Sequence, residues 1–258
     1  MKTLINFLIC FLLFAVINAK AQHKGILFYE ITIDNKMAPQ PVKVNSTVYF
    51  DGLKSTELMV PKNINKRAEN EVEEISSTSL NLYVTFNKPY FVFKDFALDV
   101  LYTSDFYHVK NVRLIKDTLN KLDWTVTSEK QKIGDYNCTK ATTTFRGRNY
   151  VAWFTKEVNI ENGPWKFSGL PGLIVNVYDT DKMYNYELQS INTSEEFDSS
   201  FVGIPKAFEY TEPISHGEFM AYYLKKIAED EEKSKVVTYD LYGSGTTTIK
   251  HAPKREKF

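Results

Sequence analysis

The chain has 258 residues, and its 32 lysine and arginine residues balance its 32 aspartate and glutamate residues. An apolar content of 43% excludes an intrinsically disordered chain, and the absence of net positive charge argues against a nucleic-acid-binding protein. The 18 Phe and 16 Tyr residues, set against only 11 Gly and 9 Pro, exclude collagen-like and low-complexity chains and indicate a globular, strand-rich protein.

The N-terminus has the pattern of a secretory signal peptide, over residues 1–21. Lys2 supplies a positive start, residues 5–17 are almost entirely apolar, and Ala19-Lys20-Ala21 places small residues where a signal peptidase requires them. Cys10 lacks the preceding small residues of a lipoprotein cleavage site, and no later stretch is apolar for long enough to span a bilayer. We therefore expect an exported protein, periplasmic, associated with the outer membrane or extracellular, with no transmembrane span after signal cleavage.

Short runs of β-branched and aromatic residues fill the chain from Gly25 to Ile191. Such runs, with apolar and polar residues alternating, are typical of half-buried strands. Asp51-Gly52 and Asn87-Lys88-Pro89 predict hairpin turns, and the polar stretch Lys62–Thr78 predicts an exposed loop or short helix. The predicted strands are Ile26–Ile33, Val42–Phe50, Ser55–Val60, Leu80–Phe86, Tyr90–Lys94, Val109–Lys116, Trp124–Thr127, Tyr136–Phe145, Arg148–Thr155, Leu173–Thr180 and Tyr184–Ile191.

The strand pattern ends after Ile191. Residues 192–200 are polar and acidic, as in a linker, and Ser215 with Glu218 three positions later matches a capping box. Apolar residues then recur at helical spacing, which predicts one amphipathic helix. The predicted organisation is a signal peptide at 1–21, a single β-rich domain at 22–233 with its covering helix at about 215–233, and a partly ordered tail at 234–258.

The segment from Gly163 to Ile174 reads GPWKFSGLPGLI and is rich in residues that break regular structure. Pro171 fits the second position of a type II turn and Gly172 the third, so we predict a turn that leads into the strand starting at Leu173. Two aromatic residues of this segment, Trp165 and Phe167, either plug the end of the core or line a recognition surface, and we favour the plug.

A six-residue motif, GLPGLI, is present at Gly169, Leu170, Pro171, Gly172, Leu173 and Ile174. In this motif the chain resembles the GLPGLI proteins of Bacteroidetes, a family that is named after it. Asp135 departs from the family pattern, which has Gly there. The resemblance implies an exported protein of a Gram-negative bacterium, and it implies no reaction and no catalytic residues. Further matches are Trp124, Ile133-Gly134, Tyr136, Cys138, Lys140-Ala141, Gly147-Arg148, Tyr150, Ala152–Thr155 and Gly163-Pro164.

No pattern in the sequence points to a catalytic chemistry. The glycine motifs of serine hydrolases and of phosphate-binding loops are absent, and acidic residues such as Glu157, Glu161 and Asp179 are ordinary surface residue types. We therefore predict no catalytic residue, no metal and no cofactor, and favour a non-enzymatic protein. The histidines of the exported chain are spaced too far apart for metal ligands: His23, His108, His216 and His251.

Several residues are candidates for binding. Arg146 and Arg148 flank Gly147 at a predicted hairpin tip, where they grip an anion or belong to a solvated turn, and we favour the turn. Trp153 and Phe154 point to opposite faces of one strand. Cys138, the single cysteine left after signal cleavage, is predicted to be a buried strand residue and not a reactive thiol. The candidate binding residues are Arg146, Arg148, Trp153, Trp165, Phe167, Leu170 and Pro171.

The expected fold is α+β and mainly β: a large, curved antiparallel sheet with one C-terminal helix, by analogy a half-barrel like the periplasmic lipoprotein carriers. The first hypothesis is a cell-envelope binding or accessory protein for an apolar ligand or an outer-membrane protein. Its pocket would lie between the sheet and the helix Ser215–Lys233, bordered by the loop Trp165–Leu173. The alternatives are an envelope hydrolase with two acids of separated pKa in a cleft, and a structural partner that pairs through a sheet edge.

Overall fold

The computed structural model describes residues 24–34, 40–61, 89–106, 112–119, 122–234, 237–240 and 243–246. Several predicted features lie wholly or partly outside the described residues: the signal peptide, the polar stretch Lys62–Thr78, the strand Leu80–Phe86, the hairpin turn at Asn87-Lys88-Pro89, the start of the strand Val109–Lys116 and the end of the tail.

Strands dominate the described residues, as the sequence pattern predicts. The strands before the helix are β1 Lys24–Ile33, β2 Val42–Asp51, β3 Lys54–Pro61, β4 Tyr90–Asp95, β5 Val100–Phe106, β6 Val112–Thr118, β7 Thr125–Ile133, β8 Tyr136–Phe145, β9 Arg148–Thr155, β10 Leu173–Asp179, β11 Tyr184–Asn192 and β12 Ile214–Ser215. Helix α1, His216–Ser234, follows, and then β13, Val237–Asp240, and β14, Gly243–Thr246. The predicted class, mainly β with a C-terminal helix, is therefore confirmed.

The first twelve strands form one open sheet. Its order is β12-β6-β5-β4-β3-β2-β1-β11-β10-β9-β8-β7. Every neighbouring pair is antiparallel except β12 and β6, which run parallel. β1 joins two meanders, because it pairs with β2 on one side and with β11 on the other. The hairpin at Asp51-Gly52 is confirmed, with Gly52 at a positive φ of 59°.

Several parts of the fold differ from the predicted pattern. β7 has 9 residues, Thr125–Ile133, where the strand Trp124–Thr127 was predicted. β5 is not predicted, because the apolar residues of its sequence VLYTSDF do not alternate with polar ones and no strong turn signal flanks it. The linker predicted at residues 192–200 ends in a 3₁₀ turn, Ser199–Phe201. A second 3₁₀ turn, Lys206–Phe208, follows beyond it, and Phe208 packs against Phe91 with ring centres 5.1 Å apart. β13 and β14 pair as a hairpin within the predicted tail.

The core lies on both faces of the sheet. On one face, residues such as Leu27, Ile31 and Val177 are covered by the loop between β9 and β10. On the other face, Cys138 and Trp153 pack together with Val175. Phe154, next to Trp153 in sequence, belongs to the first face, so the predicted opposition of these two side chains is confirmed.

Helix α1 packs at the edge of the sheet. Its side chains Phe219, Met220 and Tyr223 contact Ile115 of β6. The helix starts with the predicted capping box: the Glu218 N–H donates to Ser215 Oγ over 3.2 Å, and the Ser215 N–H donates to the Glu218 carboxylate over 2.7 Å. The strand β12 and this cap together fix the first turn of the helix beside β6.

The opposite edge is β7, most of whose side chains are exposed. Its pairing with β8 shifts register between Val126 and Lys130, and Glu129, Lys130 and Lys132 place charges along it. Bulges and charges are the features that discourage pairing at a sheet edge. The edge-pairing alternative therefore gains no support from β7.

Candidate functional site

The breaker-rich segment forms a loop over one face of the sheet, and residues 160–172 are called the motif loop below. Asn162 and Ser168 pair as an isolated bridge, and the Phe167 N–H donates to the Pro164 carbonyl over 3.0 Å. Trp165 has a positive φ of 49°, a conformation that non-glycine residues seldom adopt. The loop is therefore a fixed structure, closed on itself by backbone hydrogen bonds.

The turn at Pro171 differs from the predicted type II turn. The Gly172 N–H donates to the Leu170 carbonyl over 2.8 Å, which closes a three-residue turn with Pro171 at its centre. Gly172 has a φ of +140°, whereas a type II turn needs about +80° at that position. A Cβ atom on Gly172 would lie 2.0 Å from the Thr155 carbonyl oxygen, so glycine is required because β9 passes so close.

The aromatic residues of the motif loop are inside the core. Trp165 and Phe167 are 3% and 0% exposed, with ring centres 5.1 Å apart, and both rings contact Tyr150. Leu170 is also buried, whereas Pro171 is exposed. This burial agrees with the plug interpretation, while a binding role for these residues stays a prediction.

A buried lysine holds the motif loop to the sheet. Lys94 of β4 is fully buried, and its Nζ donates to Asn162 Oδ1 and the Gly163 carbonyl, both over 2.7 Å, and to the Phe167 carbonyl over 3.3 Å. Burial lowers the pKa of Lys94 to about 7, and the nearby Glu57 carboxylate opposes that shift. Through these three hydrogen bonds, the Lys94 amine attaches the motif loop to β4.

Glu57 of β3 completes this attachment, which we call the Lys94–Glu57 latch. Its carboxylate is fully buried and accepts hydrogen bonds from Ser46 Oγ and from the backbone N–H of Trp165. Lysine and glutamate in strands normally face water, so sequence reasoning missed both residues. One signal was present: Lys94 follows the apolar run Tyr90–Phe93 without a polar alternation.

The two candidate arginines bind different acids. Arg146 and Gly147 both have positive φ, 44° and 71°, as a two-residue type I′ hairpin turn requires. Arg148 is buried and forms an ion pair of 2.8 Å with Asp179, whereas Arg146 reaches Asp117. The expectation of a solvated turn is therefore wrong for Arg148, and the two side chains share no single anion site.

Asp117 of β6 is the centre of a charged cluster. Arg146 Nη2 donates to both of its oxygens, over 3.0 and 2.8 Å, and Lys166 Nζ lies 3.0 Å from Oδ2. His216 Nδ1 is 4.0 Å from the same oxygen. Burial alone would raise the pKa of Asp117, but the charges of Lys166 and Arg146 outweigh it and hold the pKa below its usual range. Asp117 therefore stays ionised and is unsuited to act as a general acid.

A groove of about 670 Å³ opens beside this cluster. It lies between the turn that joins β4 to β5 and the start of α1, and β5 and β6 form its floor. The residues that line it are residues 98–100, Tyr102, residues 116–118 and residues 215–217. This location overlaps the predicted pocket between sheet and helix, at the first turn of the helix, and Lys166 links the motif loop to the groove through Asp117.

The remaining candidate residues lie away from the groove. Trp153 and Cys138 are buried together on the far face, and burial, with a smaller contribution from Glu157, raises the pKa of the Cys138 thiol to about 11. Among the described residues, no three His, Cys, Asp or Glu side chains are placed to hold a metal ion. Within the same residues, no helix has both the length and the apolar character needed to cross a membrane.

Comparison with known proteins gives one family match. A family described as "Protein of unknown function (Porph_ging)" matches residues 143–176, from the end of β8 through the motif loop into β10. No curated protein matches the sequence.

Two solved structures of PNGF-II, in space groups P21 and C2, are similar to this chain. The first is 17% identical, with a TM-score of 0.49 over 79% of this chain and 33% of that one. The second is 15% identical, with the same TM-score over 81% of this chain and 33% of that one. The chain thus spans about a third of the length of these structures.

Proposed function

We propose that the chain is an exported cell-envelope protein of the GLPGLI family that binds a small ligand in the groove beside α1. The groove is the observation that carries this proposal. Its volume of about 670 Å³ is within the range of roughly 300–1,000 Å³ that is usual for small-molecule sites. Apolar and polar side chains both line it, as in sites that bury one part of a ligand and orient another.

Export is part of the same proposal, and it rests on the N-terminal sequence. Lys2, the apolar residues 5–17 and Ala19-Lys20-Ala21 favour cleavage before Gln22. The family match supports the GLPGLI assignment by its position, because it includes the whole motif loop. An accessory role beside an outer-membrane protein is compatible with a ligand-binding groove.

Native mass spectrometry tests the proposal. The full chain is expressed with its own leader in a Gram-negative host, and the periplasmic fraction is measured without denaturation. We expect a polypeptide that begins at Gln22 and carries an additional small-molecule mass.

Two glycine variants make the test specific to the groove. Gly217 lines the groove, and a Cβ atom there would meet nothing within 4 Å, so Gly217→Trp adds a bulky ring at the groove without a backbone clash. Gly203 has the same open surroundings outside the groove and provides a size-matched control, Gly203→Trp. We expect the extra mass to disappear in Gly217→Trp and to persist in Gly203→Trp. A bare polypeptide in all three proteins contradicts ligand binding, and a cytoplasmic precursor contradicts export.

A further inference from the structure

The floor of the groove places apolar side chains next to a positive charge. The β5–β6 register pairs Val100 with Thr118 and Tyr102 with Lys116, and opposite residues in an antiparallel pair share a face. The Lys116 ammonium lies 5.9 Å from the centre of the Tyr102 ring. A ligand on this floor therefore contacts the apolar ring of Tyr102 and the ammonium group of Lys116 side by side.

Leu98 extends the apolar surface at the lip of the groove. Its side chain is 73% exposed, although the turn that carries it is well fixed. The buried Asp95 carboxylate accepts hydrogen bonds from the N–H groups of Ala97 and Leu98, both over 3.1 Å, and lies 3.3 Å from Lys54 Nζ. An exposed apolar side chain on a fixed turn is a ready contact for the apolar part of a ligand.

Among the described residues, Lys116 forms no ion pair, whereas the other two cations beside the groove are both paired with Asp117. The negative charge of Asp117 is offset twice, by Arg146 and by Lys166. The other carboxylate of the groove lining is Asp99, and Lys116 supplies a third cation. The Glu218 carboxylate beside the groove is bonded to Ser215, so Lys116 is the cation of the groove floor that is open to a ligand anion.

We propose that the groove binds a small, single-chain amphipathic anion. Its apolar chain lies on Leu98, Val100 and Tyr102, and its anionic headgroup lies at Lys116. This inference rests on the proposed function and gives its ligand a chemical class. Carboxylate and phosphate headgroups offer the same charged acceptor oxygens to a lysine, so the test includes both.

The test is a calorimetric titration of the mature protein with four C12 probes below their micelle concentrations: dodecanoate, dodecyl phosphate, dodecanol and dodecyltrimethylammonium. We expect both anions to bind with one site per chain, at least about tenfold more tightly than the alcohol or the ammonium, because only the anions form a charge-assisted contact with Lys116. The stronger of the two anions identifies the headgroup.

Lys116→Met keeps the length of the side chain and removes its charge. We expect it to weaken both anions about tenfold and to leave dodecanol unchanged. Lys130→Met, an exposed lysine on β7 at the opposite edge of the sheet, is the matched control and should change nothing. Equal affinities for alcohol and anions, or an unchanged Lys116→Met, overturn the anionic assignment while the binding function stands. The proposed function fails separately, if native spectra show a bare chain and none of the four probes binds.

Discussion

The motif loop and the groove are opposite kinds of surface. The motif loop contains the most distinctive residues of the sequence, and most of its side chains are buried against the sheet. The groove is lined by ordinary residues and is open, with an exposed leucine at its lip. The recognisable motif therefore stabilises the fold, while the surface suited to a ligand lies beside it.

Four residues of the segment Gly163–Ile174 are explained by the structure alone. Gly169 and Gly172 have positive φ values, and Gly163 approaches the Ile174 side chain so closely that a Cβ atom would lie 2.8 Å from it. Ile174 is fully buried, and its carbonyl accepts a hydrogen bond of 2.6 Å from the buried Tyr29 hydroxyl. Such requirements come from the path of the backbone and need no ligand.

The largest expected effect comes from breaking the Lys94–Glu57 latch. Lys94→Met removes three hydrogen bonds to the motif loop and removes the positive charge that acts on the buried Glu57 carboxylate. We expect the free energy of unfolding to fall by about 3–5 kcal/mol, as for other buried charges that lose a partner. Urea denaturation of Lys94→Met measures this loss, with Lys130→Met as the surface control. A loss no larger than that of the control would show that the latch does not hold the loop.

The next effect separates the two reasons for glycine in the motif loop. Gly172→Ala combines an unfavourable φ with a backbone contact of 2.0 Å, whereas Gly169→Ala has only the unfavourable φ of 87°, since its Cβ meets nothing within 4 Å. We expect losses of about 2–4 kcal/mol for Gly172→Ala and about 1 kcal/mol for Gly169→Ala. Equal losses in thermal or urea unfolding would contradict the close approach of β9.

The latch also predicts a pH dependence. Lys94 has a pKa of about 7 when folded, below its ordinary value of 10.5, so the unfolded chain binds more protons between these two values. Its contribution to the free energy of unfolding therefore rises with pH from about 7 to about 10.5, by about 1.4 kcal/mol per pH unit, and is constant below pH 7. Denaturation at pH 6, 7.5 and 9 measures the difference between wild type and Lys94→Met. A difference that stays constant from pH 7.5 to 9 would refute the prediction.

The smallest effect is a gain of stability in the groove. Gly217 is in the first turn of α1, its φ is not positive, and a Cβ atom there meets open space. We expect Gly217→Ala to raise the free energy of unfolding by about 0.5 kcal/mol, because alanine loses less backbone entropy than glycine in a helix. Thermal unfolding of this variant beside Gly172→Ala should show shifts of opposite sign. A loss of stability would mean that the groove is not open at this point.

Local sequence patterns were sufficient to predict much of the sheet. The bounds of β8 and β9 match the predicted strands, because both have clear alternation and a glycine turn between them. The capping box at Ser215 was also predicted from the sequence, since it depends on two residues that are three positions apart. β5 was not predicted, because its apolar and polar residues do not alternate and its place in the sheet depends on pairing with β4 and β6.

The candidate site was less predictable, because it depends on contacts between distant parts of the chain. Arg146, Lys166 and Asp117 meet across long sequence separations, and no local pattern records that meeting. The latch joins Glu57, Lys94 and the motif loop in the same way. The pocket was predicted between the sheet and the helix. The groove lies at the first turn of that helix, a position that depends on the pairing of β12 with β6.

Hydrogen–deuterium exchange with and without dodecanoate tests the division between scaffold and binding surface most directly. We predict that the ligand slows exchange in peptides covering residues 98–102, 116–118 and 215–217, and that residues 162–174 exchange slowly and equally in both states. Ligand-dependent protection centred on residues 162–174, with none around the groove, would contradict the account and assign the binding surface to the motif loop.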